Sequence, residues 1–134
     1  MTDVARRRHN VSMAQATRRQ VVYEDGRWNG RTVREWLPEV LRPIVERFRP
    51  LKVIVFGSLA RGDEDVDSDV DLLVVLPHVE DKRATALAIQ AAVEAPVPVN
   101  VFVTDPDEIA RRGHVIGTAL EPALREGKVL FERS

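Results

Sequence analysis

The sequence predicts an α/β fold, a mixed sheet flanked by helices, on two observations. Three short runs rich in β-branched residues, Val53-Ile54-Val55-Phe56, Val70 to Leu76 and Val97 to Val103, have strand length and are bounded by glycine or proline. Between them apolar residues recur at helical spacing, most clearly Trp36, Leu37, Val40, Leu41, Ile44, Val45 and Phe48. Each such element must bury one apolar face, so helices are expected to pack on the sheet. The length of 134 residues suits one domain.

Residues 1–30 read as a basic N-terminal arm. Residues 1–19 are polar and arginine-rich, expected to be mobile or ordered by a partner. Val21 to Trp28 reads as a short hairpin, because Asp25-Gly26 supplies the positive φ angles of a tight turn. Residues 31–134 form the domain proper. Thr32-Val33-Arg34-Glu35 has the form of a capping box, opening a helix over about 37–48 with Pro38 near its start. Pro43 should kink or split that helix. Leu51 to Phe56 is a buried strand ended by Gly57, and Ser58 to Arg61 one helical turn stopped by Gly62. An acidic loop, residues 63–68, leads into a strand from Asp69 to Leu76.

A helix follows over 81–94, then the strand of residues 97–103, whose Pro98 argues for an edge or a strand start. Thr104 or Asp105 can cap the next helix with Pro106 in its first position. A last helix over about 114–126 ends at Gly127 and leads into a short strand, Lys128 to Phe131.

Composition narrows the function. With no cysteine, disulfides, cysteine–zinc sites and thiol nucleophiles are excluded together. No apolar run approaches the roughly 20 residues of a membrane span. Arg6-Arg7-Arg8 has no apolar segment behind it, so a cytoplasmic protein is expected, without a secretory signal or membrane partner. The net charge of −1 hides an asymmetry: residues 1–52 carry 12 Lys+Arg against 6 Asp+Glu, and residues 53–134 carry 8 against 15. The basic half could meet an acidic partner, a nucleic acid or the acidic cleft of the chain itself, or the charge could simply be uneven surface. A pI of about 6.3 argues against a dedicated nucleic-acid binder.

The chemistry concentrates between residues 57 and 71. Asp69 and Asp71 are one residue apart in a strand, so their side chains share a face, while Val70, Leu72, Val74 and Leu76 can pack into the core. Two adjacent carboxylates at the start of a hydrophobic strand repel each other unless a cation lies between them. Mg²⁺ or Mn²⁺, hard ions that take carboxylates and phosphate oxygens, would make the arrangement sensible. Gly57 lets the backbone approach a bulky ligand. The helical turn after it presents free N–H groups, and Ser58 adds a hydroxyl, all suited to the phosphates of a nucleoside triphosphate. Arg61 is a further nucleotide-binding candidate. Asp65-Val66-Asp67-Ser68-Asp69 mimics the start of a calcium-binding EF-hand loop, but Val70 and Leu76 stand where that loop needs glycine and glutamate.

Gly-Ser, ten residues, then Asp-x-Asp resembles the signature of the minimal nucleotidyltransferases, small members of the DNA polymerase β-like superfamily. The resemblance runs from about residue 37 to the C-terminus, including Ala123 to Phe131, and leaves residues 1–30 uncovered. It implies the DNA polymerase β-like nucleotidyltransferase fold, with Asp69 and Asp71 as catalytic metal ligands and Gly57 and Ser58 holding the triphosphate. The family's usual third carboxylate falls at Asn100, which can offer a carbonyl to a metal but cannot accept a proton at neutral pH. Asp105 has the wrong strand parity to replace it, and His114 is a candidate base. The resemblance implies transfer of AMP from ATP to a hydroxyl of a protein acceptor, as in antitoxins that adenylylate a tyrosine of a HEPN-like toxin. A macromolecular acceptor is expected because no second domain to hold a small one is visible. The alternative is a catalytically impaired nucleotide-binding module that acts by binding its partner.

Overall fold

The computed structural model describes residues 21–134 apart from Val66 and Ile116, so most of the basic arm lies outside the described residues. Strands β1 (Tyr23–Glu24) and β2 (Arg27–Trp28) pair antiparallel. Between them Asp25 and Gly26 take φ of 55° and 73°, both positive as the Asp-Gly turn requires. Tyr23 and Trp28 bring their rings to 4.5 Å across the hairpin. The hairpin is tied to the domain by Trp36 Nε1, which donates to the Trp28 carbonyl at 2.7 Å.

The capping box forms as expected. Thr32 N–H donates to Glu35 Oε1 at 2.8 Å, and Glu35 N–H donates to Thr32 Oγ1 at 3.2 Å. Hydrogen bonding to the backbone N–H and the side chain of Thr32 holds the Glu35 carboxyl below its ordinary range. A 3-10 turn, Arg34–Trp36, then feeds helix α1 (Leu37–Phe48), which continues through Pro43 without splitting. Arg49 ends it in the left-handed conformation.

The main sheet contains β3 (Lys52–Phe56), β4 (Val70–Val75), β5 (Val99–Thr104) and β6 (Lys128–Glu132), in the order β5-β4-β3-β6. It is mixed: β3 runs antiparallel to β4 and β6, while β4 and β5 are parallel. A helical turn, α2 (Ser58–Arg61), follows β3, and the crossover that the parallel pair needs is supplied by α3 (Lys82–Ala92). Asp81 caps α3 by accepting from Ala84 N–H at 3.0 Å. Beyond β5 come α4 (Pro106–Arg112) and α5 (Leu120–Glu126). Asp105 is the cap of α4, accepting from Glu108 N–H at 2.9 Å with Pro106 in the first turn.

Strand alternation divides the core into two layers. Val53, Val55, Val70, Leu72, Val74, Val99 and Val103 face α1 and α3, where Val40, Ile44 and Ile89 are fully buried. Ile54, Phe56 and Leu73 face the other way, against Leu120 and Ala123 of α5 and Ile109 of α4. Asp69, Asp71 and Asn100 have the parity of this second, smaller layer. Pro98 sits where its missing N–H costs nothing: β5 is an edge strand, and the Pro98 carbonyl accepts from Val70 N–H at 2.9 Å.

One expected element is shorter than its sequence pattern. The helix expected over 114–126 begins only at Leu120. Gly117 takes φ of 99°, and Thr118 Oγ1 donates to the Val115 carbonyl at 3.0 Å, so this segment turns before the helix starts. At the far end Gly127 is required by packing, since a Cβ there would collide with the Ala123 carbonyl and the Ile54 side chain.

Candidate active site

The site is built where β3 ends and β4 begins. Phe56 and Asp71 are paired residues in the antiparallel ladder, so the residue after Phe56 is carried directly over the Asp71 side chain. That residue is Gly57, with φ 76° and ψ −151°, a conformation nearly confined to glycine. A Cβ on Gly57 would stand 2.6 Å from Asp71 Oδ2. The missing side chain therefore lets the start of α2 close directly onto a carboxylate oxygen, a cradle of backbone and carboxylate with no space for a Cβ.

The acidic loop is folded onto that turn. Ser68 Oγ accepts from Asp65 N–H at 2.9 Å, Asp65 Oδ1 accepts from Asp67 N–H at 2.9 Å, and Ser68 N–H donates to the Asp65 carbonyl at 3.1 Å. These bonds fix Ser68, whose hydroxyl lies 3.1 Å from the Ser58 hydroxyl. Behind the loop, Arg34 donates from Nε and Nη2 to the two Glu64 oxygens at 2.7 and 2.9 Å, and from Nη2 to the Leu59 carbonyl at 2.7 Å. One guanidinium thus joins α2 to the loop that delivers Asp69. The hydrogen bond from Arg34 also holds the Glu64 carboxyl below its ordinary range.

The structure brings Asp69, Asp71 and Asn100 together on one face. Asp71 and Asn100 are directly paired in the parallel β4–β5 ladder. The Asn100 amide nitrogen donates to Asp71 Oδ1 at 3.0 Å and to Asp69 Oδ2 at 3.2 Å. It stands between two carboxylates that would otherwise repel, with the positive end of its dipole toward both. Asp69 and Asn100 are exposed and Asp71 is half-buried, so the pair is open to ligand. Among the described residues there is no group of three or more His, Cys, Asp or Glu side chains placed to hold a metal. The donor set is two carboxylates and, if the Asn100 amide turns over, one carbonyl oxygen. All three are hard oxygen donors of the kind Mg²⁺ and Mn²⁺ take, and the start of α2 lies directly beside them at Gly57.

Other sequence candidates fall elsewhere. Arg61 pairs with Asp63 at 3.1 Å and with Glu126 at 3.6 Å, so its guanidinium is held by acids other than the Asp69–Asp71 pair. Asp105 accepts from Glu108 N–H and from Val79 N–H at 3.0 Å, and these bonds depress its carboxyl. It is a structural cap. His114 is exposed in the turn after α4, with no hydrogen bond to Asp69, Asp71 or Asn100 among the described residues. Conversely, Ser68 and the Arg34–Glu64 pair were not legible as parts of the site. Ser68 is marked only by its position one residue before Asp69, and residues 34 and 64 carry no local signal linking them.

Residues 37–124 match the nucleotidyltransferase domain family. No curated protein matches the chain. Among solved structures, the chain resembles a protein from Sulfolobus solfataricus assigned provisionally as a nucleotidyltransferase, with a TM-score of 0.54 and 21% identity over 75% of this chain and 81% of that one. That likeness is one of fold. A weaker likeness, TM-score 0.46 and 18% identity over 72% and 73% of the two chains, is to a toxin–antitoxin structure solved with AMP-PNP. The family match covers α1, the Gly57 cradle and the strand of Asp71, and by it the chain belongs to the nucleotidyltransferase domain family.

Proposed function

We propose that this chain moves a nucleoside monophosphate, AMP from ATP, onto a hydroxyl of a protein acceptor, with Mg²⁺ or Mn²⁺ held by Asp69, Asp71 and Asn100. The observation that carries the reading is the approach of Gly57 to Asp71, which sets the start of α2 directly against a carboxylate pair. Gly57 and the first turn of α2 receive the β- and γ-phosphates, with the Ser58 hydroxyl as donor. Asp69 and Asp71 supply the negative oxygens for the cation, and the Asn100 amide rotates to present its carbonyl. When bound, the divalent ion neutralises the phosphates and orients in-line attack at the α-phosphorus. The acceptor oxygen forms the new bond to that phosphorus as pyrophosphate leaves along Gly57 and Ser58.

Asn100 accepts no proton, so the acceptor must lose its own to solvent or to a base it brings. A phenolic hydroxyl, with an ordinary pKa of about 10, needs less help than an alkyl alcohol. This suits the tyrosine acceptor that the motif's resemblance to minimal nucleotidyltransferases implies. On the same resemblance, we assign the acceptor as a HEPN-like toxin and this chain as its antitoxin.

A second reading has one observation in its favour. The Asn100 amide satisfies both carboxylates without a cation, as expected of a module that binds its partner and does no chemistry. Incubation with α-labelled ATP, Mg²⁺ or Mn²⁺ and a co-expressed HEPN-like neighbour separates the two. Label on the partner that disappears with Asp69→Ala and Asp71→Ala supports transfer. Tight partner binding with no label would leave only the binding module.

A further inference from the structure

Beside the carboxylates lies a pocket of about 130 Å³ that the proposed chemistry does not use. It is floored by Leu73, Phe102 and Leu120 and rimmed by Arg112, Thr118 and the Lys82–Glu108 ion pair. Sheet register ties it to the site. Phe56, Asp71 and Asn100 form one row across β3, β4 and β5, and Ile54, Leu73 and Phe102 form the next row on the same face. Two residues along a strand is roughly 7 Å. The pocket thus begins about one sugar's length from the carboxylates.

Phe102 is the feature that calls for an explanation. It is 39% exposed, an aromatic ring presented to solvent at the pocket wall. Its inner edge leans on Phe56, ring centroids 5.6 Å apart, which fixes its orientation. The polar rim is also set. Glu108 is held by Lys82 at 2.5 Å and by the Thr104 hydroxyl at 2.6 Å. Thr118 donates its proton to the Val115 carbonyl, which leaves its oxygen as an acceptor.

We infer that this pocket takes the nucleobase of the triphosphate, stacked on Phe102, with Arg112 and the Thr118 oxygen at its edge. The inference rests on the nucleotide reading of the site proposed above. A triphosphate anchored at Gly57 and Ser58, with its α-phosphate at Asp69 and Asp71, extends its sugar and base away from β3, toward β5 and α4. The volume is below the roughly 300–1,000 Å³ of a whole small-molecule site, so it fits one ring system of a larger ligand. Stacking on Phe102 is the interaction a base offers and a bare polyphosphate does not.

The test compares ATP with inorganic tripolyphosphate, which lacks sugar and base, by Mg²⁺-dependent calorimetric titration of the full chain. Phe102→Ala is expected to weaken ATP about tenfold while leaving tripolyphosphate unchanged. A Phe102→Trp variant gives a second readout that needs no loss of packing: the fluorescence it adds to that of Trp28 and Trp36 should be quenched by ATP and not by tripolyphosphate. Unchanged ATP affinity in Phe102→Ala, or ATP binding without quenching in Phe102→Trp, would overturn the assignment and leave the pocket to the acceptor's side chain. If the wild type binds neither ligand, the nucleotide reading of the site falls and takes this inference with it.

Discussion

Gly57 and Asp71 are in contact through an absence: a methyl group on Gly57 would lie 2.6 Å from Asp71 Oδ2. The positive φ of Gly57 adds a backbone penalty to any side chain there. Gly57→Ala should therefore cost about 1–3 kcal/mol of stability and push Asp71 away from the start of α2. The check is thermal unfolding together with ATP titration. A folded variant that binds ATP like the wild type would show that the cradle is not the phosphate site.

Asn100→Asp replaces an amide that donates to both carboxylates with a third negative charge. Without divalent ions the variant should unfold at a lower temperature than the wild type, and Mg²⁺ should reverse the difference. If transfer lacks only a base, activity should rise by about 100-fold or more. Stability insensitive to Mg²⁺ would contradict a cation site on these residues.

Arg34→Met removes the clamp between α2 and the acidic loop while keeping most of the side chain's apolar stem. Arg34 is half exposed, so the stability cost should stay near 1 kcal/mol. The effect on transfer should be larger, up to about 100-fold, because both the phosphate turn and Asp69 lose their fixed relation. Equal small effects on stability and activity would show Arg34 to be ordinary surface.

Much of this site was legible in the sequence because it is local. Gly57, Ser58, Asp69 and Asp71 follow from the end of one strand, the start of the next and the parity between them, and Asn100 from the resemblance to minimal nucleotidyltransferases. The capping box and the Asp25-Gly26 turn are read from neighbouring residues in the same way. What escaped depends on distance along the chain or on competition. Arg34 meets Glu64 across 30 residues. The amphipathic pattern over 114–126 is overridden by the positive φ of Gly117. Arg61 was legible as a cation, but not as one already held by Asp63 and Glu126.

The Glu108 network gives a pH dependence. Burial alone would raise this carboxyl, but hydrogen bonds from Lys82 and Thr104 outweigh it and hold the folded value below the ordinary 4.5. A depressed folded value stabilises the protein above the unfolded one, and the contribution is lost as pH falls through the folded value. Acid should therefore destabilise the wild type more steeply than Glu108→Gln, as read from unfolding midpoints against pH. Parallel curves for the two proteins would remove Glu108 from the acid response.

The central claim is that Asp69 and Asp71 hold a divalent ion against a phosphate seated at Gly57. The most direct measurement is ATP affinity as a function of Mg²⁺ for the wild type and for Asp71→Asn, which keeps shape and removes charge. The account predicts ATP binding that strengthens with Mg²⁺ in the wild type and no longer responds to it in the variant. ATP binding that is independent of Mg²⁺ in the wild type, or equally dependent in both proteins, would contradict it.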